Sequence, residues 1–300
     1  MELNIYLLYL LKGVNSFNML SFIKKHFITC LLIGLLLSGL SLLLYPTFSN
    51  IWNSYHQSKA IAAYKHDVND MSRQRGKRLL VAAEAYNQLL PVGINPHLNL
   101  TNAAKDRYNK ILDITGTGIM AYVEIPKLKT KLPIYHGTDE AVLEIAIGHI
   151  PGTSFPIGGK GTHAVISGHR GLPSAKLFSN LNQLKNGDTF MIHVLGRTLI
   201  YEVDQSLTVK PEDLSALKID PVQDYCTLVT CTPYGVNTHR LLVRGHRIFK
   251  EKENSEAINK STRQHPVLHL ILITGGTILF IIFALVYFRY RRRQLKMKVY

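Results

Sequence analysis

The chain has little cysteine, with three among its 300 residues. Two of them, Cys226 and Cys231, are five positions apart on a predicted strand, so they face opposite sides and lie roughly 16 Å apart at ~3.3 Å per residue. A disulfide joins α-carbons that are no more than ~7 Å apart. The third, Cys30, lies in an apolar stretch, and no group of Cys and His has the spacing of a zinc site. We therefore expect no disulfide framework, with Cys226 a core residue and Cys231 a free thiol.

Acidic residues are also scarce, since 20 Asp and Glu stand against 35 Lys and Arg and the formal net charge is +15. Such an excess can indicate nucleic-acid binding, but much of it flanks apolar segments. Lys24 and Lys25 precede the apolar segment 27–45, and a basic tail at 289–300 follows the apolar segment 267–288. Basic residues in such places usually set membrane topology. We expect a membrane partner and no nucleic-acid partner.

Each apolar segment has about the ~20 residues needed to cross a bilayer. A cleaved signal peptide is the alternative for the first, but the Pro-Thr-Phe-Ser sequence that begins at Pro46 lacks a small-x-small cleavage site, which favours an uncleaved anchor. The basic flanks predict a two-pass membrane protein with both termini in the cytoplasm. Residues 46–266 would then lie outside the cell.

The region after the first apolar segment has helical periodicity. Apolar residues recur at three- and four-residue intervals over 50–90, which predicts an amphipathic helix divided at Gly76. Proline and glycine then predict a loop at 92–100, followed by a short helix at 103–112.

From residue 118 the hydrophobic period becomes that of strands. A tight hairpin is expected at Leu195 and Gly196, a short helix at 141–145 and a loop at 148–161. The predicted strands are 120–125, 131–134, 164–167, 189–194, 197–203, 206–209, 227–231 and 241–243. Many short strands with few helices predict a closed or nearly closed β-barrel.

Residues 227–245, TLVTCTPYGVNTHRLLVRG, place reactive side chains at strand ends. Cys231 ends one strand, a loop containing Pro, Tyr, Gly and Asn follows, and Arg240 begins the next strand. A strand end beside a loop suits a nucleophile, because the scaffold aims it and the loop leaves it accessible. A permanent cation nearby can favour the thiolate or stabilise an oxyanion.

A thiol nucleophile usually needs an acid/base partner, and the best candidate is His169 in SGHRG, at the end of a buried strand. Two histidines are rivals. His163 lies on or before the same strand. His239 is next to Arg240 on a strand, so its side chain should point to the opposite face and away from Cys231. Arg170 and Arg244 are interpreted as surface or substrate-side charges without an assigned role.

The TLVTC sequence with an arginine nine residues after the cysteine, and an upstream SGHRGLPSAKLF, resembles the sortase family of Gram-positive surface transpeptidases, most closely the class C, pilin-polymerising sortases. The resemblance covers residues 75–250 and both membrane segments. It implies that His169, Cys231 and Arg240 are the catalytic residues. It also implies a mostly β fold, an eight-stranded sortase-type β-barrel with N-terminal helices outside and two flanking transmembrane helices.

The same resemblance implies a cysteine transpeptidase that needs no cofactor or metal. The Cys231 thiolate would attack the Thr–Gly bond of an LPxTG-like sorting signal on a pilin subunit. His169 would protonate the leaving amine and deprotonate the incoming one, and Arg240 would stabilise the oxyanion or fix the substrate backbone. A Lys amine of another pilin would accept the acyl group.

Three other functions compete with pilin polymerisation. A housekeeping sortase would use a cell-wall precursor as acceptor, but the second membrane segment and the long helical region favour pilin polymerisation. A papain-like protease would have its cysteine before its histidine. A non-catalytic scaffold would not need Cys, His and Arg together at strand ends.

Many class C sortases also carry a lid, in which an Asp-Pro-aromatic motif covers the active site. The corresponding residues here are Asn95, Pro96 and His97. A neutral amide cannot form the charge-assisted pair with Arg240 that a carboxylate would form, and imidazole buries less apolar surface than Phe or Trp. We therefore expect a lid that is weakly held or absent as a plug.

The sequence thus predicts seven segments. They are a cytoplasmic leader 1–26, a transmembrane helix 27–45, an extracellular helical region 46–117 with a lid-like loop 92–100, a catalytic barrel 118–250, a linker 251–266, a transmembrane helix 267–288 and a basic cytoplasmic tail 289–300.

Overall fold

The computed structural model describes residues 27–91 and 101–249. The predicted leader, the lid residues Asn95, Pro96 and His97, the linker, the second membrane segment and the basic tail all lie outside the described residues.

Eight strands form a closed barrel, in the order β1-β2-β3-β4-β7-β8-β6-β5. This confirms the predicted eight-stranded fold. The strands are β1 Ile119–Ile125, β2 Thr130–His136, β3 Ile147–His149, β4 Thr162–Ser167, β5 Thr189–Val194, β6 Arg197–Val209, β7 Asp224–Thr232 and β8 His239–Ile248. Closure leaves no unpaired edge among the described strands, and the interior is filled by apolar side chains from alternate positions.

Two differences from the prediction change which segments form strands, and β7 and β8 are also longer than the predicted 227–231 and 241–243. The two strands expected at 197–203 and 206–209 are one strand, β6, whose register against β8 shifts between Val203 and Gln205. A short strand, β3, lies in the segment predicted to begin a loop. Its central residue, Gly148, allows close approach to β2, because a side chain there would overlap the carbonyl oxygen of Gly137. A three-residue strand with glycine at its centre has no alternating pattern to detect.

Within residues 27–91 and 101–249, four α-helices accompany the barrel: α1 Phe27–Asp70, α2 Arg73–Gln88, α3 Asn102–Lys110 and α4 Glu140–Leu143. The expected division of the long helical region at Gly76 was wrong. The break comes earlier, where the Ser72 side chain accepts a hydrogen bond from the backbone N–H of Arg75 and caps α2. Gly76 lies inside α2, with its N–H donating to the Ser72 carbonyl.

The first part of α1 is long and apolar enough to cross a membrane, and most of its leucines are exposed. The second part packs on the barrel, where Ile61 and Tyr64 contact Ile119 and Tyr122. The Tyr64 hydroxyl donates to the backbone oxygen of Met120 at 3.0 Å. One unbroken helix therefore carries both the apolar segment and a barrel-packing face.

An aromatic cluster attaches α2 and α3 to the barrel. Tyr86 of α2 and Tyr108 of α3 both contact the ring of Phe155. The Tyr108 hydroxyl lies 2.8 Å from Nδ1 of His149, whose pKa burial lowers to about 3. The Asn87 side chain bonds both backbone groups of Phe155. The helices outside the barrel are thus fixed by packing and by satisfied polar groups.

His163 is fully buried in β4. Its Nδ1 lies 2.9 Å from the Lys218 carbonyl oxygen and its Nε2 lies 2.7 Å from the Thr227 hydroxyl. Burial is the largest influence on its pKa, which is lowered to about 4. A histidine with both nitrogens occupied and no exposure serves the fold rather than a substrate.

The lowered pKa of His163 predicts that the protein loses stability in mild acid. Because the unfolded His163 binds a proton near its usual pKa and the folded one only near pH 4, the free energy of unfolding should fall as the pH drops below about 6.5. Between pH 7 and pH 5 this residue contributes a loss of about 2 kcal/mol. Denaturant titrations at several pH values should show a shallower decline for His163→Gln. An identical pH dependence in the two proteins would contradict the assignment.

Candidate active site

Three neighbouring strands bring the predicted site residues to one end of the barrel. β4 runs parallel to β7 with Ser167 opposite Val229, and β7 runs antiparallel to β8 with Cys231 opposite Arg240. His169 comes two residues after Ser167, as Cys231 comes two residues after Val229. The three residues therefore lie level with one another across β4, β7 and β8.

Alternate residues of β7 belong to two apolar clusters. Cys226 and Leu228 pack in the main core of the barrel. Val229 belongs instead to a smaller cluster outside it, with Val165 of β4 and Leu242 of β8. The same sheet thus separates an inner from an outer face.

The two-residue period of a strand extends this separation to the strand ends. Cys231 shares the face of Val229, and Arg240 shares the face of Leu242. Residues directly opposite in an antiparallel pair have β-carbons about 4.5–5.5 Å apart. The Cys231 and Arg240 side chains therefore start from adjacent positions on the outer face.

The two described cysteines are both free thiols, as predicted, but their surroundings differ. Cys226 is fully buried, and burial raises the pKa of its thiol well above the usual value. Cys231 is only half-buried at the end of β7. Of the two, Cys231 is the one that a substrate can reach.

The backbone on both sides of His169 is fixed by hydrogen bonds. The N–H of Gly168 donates to the Val229 carbonyl at 3.0 Å, and the Thr230 hydroxyl donates to the Gly168 carbonyl at 2.7 Å. The His169 carbonyl accepts from the N–H of Phe178 at 3.2 Å. A side chain on Gly168 would come within 2.8 Å of the Phe178 ring, so only glycine fits this packing. The His169 loop is consequently bonded directly to the strand that carries Cys231.

Arg240 is half-buried at the start of β8. Its Nη1 donates to the carbonyl oxygens of Asn237 and His239, both at 3.2 Å. These contacts hold the guanidinium against its own loop. A thiol, an imidazole and a guanidinium at one end of a barrel can together perform acyl transfer, with nucleophile, proton carrier and oxyanion partner.

A family model described as "Sortase domain" matches residues 123–248. Among solved structures, sortase C1 from Streptococcus agalactiae is 49% identical with a TM-score of 0.61, over 64% of this chain and 100% of that one. A pilus-related sortase C of Group B Streptococcus is 40% identical with a TM-score of 0.57, over 63% and 96%. Among characterised proteins, sortase D from Bacillus subtilis is 27% identical over 61% of this chain and 87% of that protein.

This chain belongs to the sortase family. Sortases are cysteine transpeptidases, so the chain is an enzyme of that type. Solved class C sortases match it over their whole length at 37% to 49% identity, which confirms the predicted resemblance to class C.

The two rival histidines lie in other surroundings. His163 is buried among Lys218 and Thr227, as described above. His239 is the register partner of Thr232, not of Cys231, and its Nδ1 lies 2.9 Å from the Thr238 hydroxyl. Of the three histidines weighed from the sequence, His169 is the one that lies level with Cys231.

The two arginines left without a role are both engaged. Arg244 forms a bidentate pair with Asp204, with both distances 3.0 Å, and lies over the Tyr225 ring. Arg170 donates from Nη1 to the hydroxyl of Thr232 at 2.9 Å. That bond links the loop that carries His169 to the residue after Cys231.

Thr230 was not singled out in the sequence. Its side chain is buried and its hydroxyl donates to Gly168, immediately before His169. A threonine in an apolar strand gives no sign of this partner, because the partner lies 62 residues away in the chain. The one available signal was its place beside the cysteine in the TLVTC motif.

We predict that Thr230→Val slows peptide cleavage several-fold, because it removes the bond that holds the Gly168–His169 backbone. It should also lower the free energy of unfolding by about 1–2 kcal/mol, since the Gly168 carbonyl loses its buried partner. Thr230→Ser keeps the hydroxyl and is the matched control. It should retain most of the cleavage rate and most of the free energy of unfolding. Cleavage rates and denaturant titrations measure the two effects. Full activity in Thr230→Val would show that the bond does not position His169.

Proposed function

We propose that this sortase polymerises pilins by cleaving an LPxTG-like sorting signal and joining its acyl group to a lysine of another pilin. The observation that supports this most is the register that sets Cys231 opposite Arg240 and level with His169. The pilus-related sortase C among the similar structures supports pilin as the substrate class.

In the first half of the reaction, the Cys231 sulfur attacks the threonine carbonyl carbon of the Thr–Gly bond. The oxyanion that forms is stabilised by the Arg240 guanidinium. His169 gives a proton to the departing glycine amine as the C–N bond breaks. A thioester between the pilin and Cys231 remains.

In the second half, a lysine amine of the acceptor pilin attacks the thioester carbonyl. His169 takes the proton from that amine, the C–S bond breaks, and the Cys231 thiolate is regenerated. The product is an isopeptide bond. Every proton and leaving group in this scheme is accounted for by these three side chains and the two peptides.

We further propose that α1 anchors the enzyme in the cell membrane and that the barrel lies outside the cell. The apolar first part of α1 and its exposed leucines support the anchor. The segment 267–288 would be a second transmembrane helix, with both termini in the cytoplasm. Catalysis would then take place on the outer surface, where pilins are assembled.

The first prediction of this function concerns the three side chains. Cys231→Ala should abolish cleavage of an LPxTG-type peptide, and His169→Ala and Arg240→Ala should each lower its rate by roughly 100-fold or more. His239→Ala is the matched control, because it removes a neighbouring histidine of the opposite strand face. Its rate should stay within about twofold of the unchanged enzyme. Loss of activity in His239→Ala with retention in His169→Ala would reverse the assignment.

A second prediction concerns the acceptor. With a sorting-signal donor, the enzyme should join the acyl group to a pilin lysine much faster than to a cell-wall precursor amine. Mass spectrometry of the products from a mixture of both acceptors measures the preference directly. A donor peptide in which alanine replaces the threonine of the LPxTG-like signal serves as the negative control. Preference for the cell-wall precursor would identify the alternative, a housekeeping sortase.

A further inference from the structure

One face of the second part of α1 lies against the barrel. Its residues recur at three- and four-residue intervals, the spacing of a single helix face, and they are Asn50, Asn53, Gln57, Ile61, Tyr64 and Val68. The last three pack in an apolar cluster with β1. The first three carry side-chain amides, and that of Gln57 donates to the Ile145 carbonyl oxygen at 2.6 Å. The barrel-facing stripe therefore changes from hydrogen bonding to apolar packing along the helix.

The two asparagines of this stripe bond the loop 169–178, which begins at His169. The Oδ1 of Asn50 accepts from the backbone N–H of Lys176 at 2.9 Å. The Nδ2 of Asn53 donates to the backbone carbonyl oxygen of Ser174 at 2.8 Å. Because an N–H must meet an oxygen and a carbonyl must meet an NH₂ group, the partners also fix the orientation of both amides. The tip of the loop is thus held by α1.

The base of the same loop is closed by its own hydrogen bonds. The His169 carbonyl accepts from the N–H of Phe178 at 3.2 Å, and Phe178 is fully buried in the main core. The N–H of Gly171 donates to the Ser179 hydroxyl at 3.1 Å. A loop closed at its base moves as a unit. A displacement of its tip is therefore transmitted to the backbone of His169.

The segment after Cys231 holds the opposite side of the loop. Arg170 bonds the Thr232 hydroxyl, and a side chain on Gly171 would come within 3.1 Å of the Tyr234 ring. Without the α1 bonds, the backbone groups at the loop tip would have to find water instead, since polar backbone groups need partners. The loop would then be held from one side alone.

We propose that Asn50 and Asn53 are positioning residues for His169, so that α1 supports catalysis as well as anchoring the chain. The proposal rests on the proposed role of His169 as proton carrier, and it deepens that role by naming what keeps the imidazole within reach of the leaving amine. Both asparagines act through the loop backbone. Proton donation requires the donor within hydrogen-bond reach, and a misplacement of about 1 Å can cost ~100-fold in rate.

The two asparagines allow a matched pair of nearly isosteric substitutions. Asn50→Asp and Asn53→Asp each replace an amide NH₂ with an oxygen and add one negative charge. At position 50 the bond survives, because an oxygen still accepts from the N–H of Lys176. At position 53 the bond is lost, because a carboxylate oxygen would face the Ser174 carbonyl oxygen and neither can donate. The pair therefore separates the loss of a bond from the added charge.

Kinetics of the full chain on an LPxTG-type peptide give the first measurement. Asn53→Asp should lower kcat at least about fivefold with KM within about twofold, since the proton donor is displaced while substrate binding is kept. Asn50→Asp, the conservative variant, should keep kcat and KM within about twofold of the unchanged enzyme. An unchanged kcat in Asn53→Asp, or equal losses in both variants, would overturn the proposal.

A donor with a better leaving group shows whether the loss lies in proton donation. With an aryl ester of the same acyl group, the Cys231 sulfur attacks the carbonyl carbon, the C–O bond breaks, and the aryl oxide leaves without a proton from His169. Single-turnover release of the aryl oxide by Asn53→Asp should stay within about twofold of the unchanged enzyme. Equal losses on ester and peptide would indicate a general disturbance of the site and overturn the proposal.

Hydrogen exchange measures the loop without turnover and separates this inference from the proposed function. The backbone amides of 170–178 should exchange at least about threefold faster in Asn53→Asp than in Asn50→Asp, because the loop opens more often once its tip is released. Equal exchange in the two variants would overturn the proposal. An unchanged enzyme that is inactive on every peptide would refute the proposed function, and the exchange result would still decide whether α1 holds the loop.

Discussion

The register of β4, β7 and β8 is the constraint on which the rest of the structure depends. It sets Cys231 opposite Arg240 and places His169 level with both. A shift of β7 by one residue would turn Cys231 into the barrel and send its buried neighbours outside. The closed barrel resists such a shift, because every strand is paired on both sides and the core is filled.

Polar contacts fix the loops that the strands leave free. Thr230 holds Gly168, Arg170 holds Thr232, and two asparagines of α1 hold the loop after His169. Each bond joins segments far apart in the chain. The loops are therefore held by strand, helix and neighbouring loop at once, which keeps the backbone near the site in one arrangement.

The sequence allowed the proximity of Cys231 and Arg240 to be predicted, because a short loop between two apolar strands brings the end of the first beside the start of the second. The proximity of His169 to Cys231 could not be predicted from local patterns. Strand patterns placed it at a strand end, but only the family motif linked it to a cysteine 62 residues away, since parallel pairing leaves no local signal. β3 was missed because glycine occupies its centre, and the break at Ser72 was missed because a cap depends on a side-chain bond. The contacts of Thr230 and Arg170 depend on tertiary structure and have no sequence signature.

Trapping the covalent intermediate is the most direct test of the central claim, that this register creates a cysteine acyl-transfer site. The enzyme would be mixed with an LPxTG-type peptide, quenched in acid and mapped by mass spectrometry. The account predicts a hydroxylamine-sensitive adduct, with the mass of the peptide's acyl part, on the fragment that contains Cys231. An adduct on another residue, or the same adduct in Cys231→Ala, would contradict it.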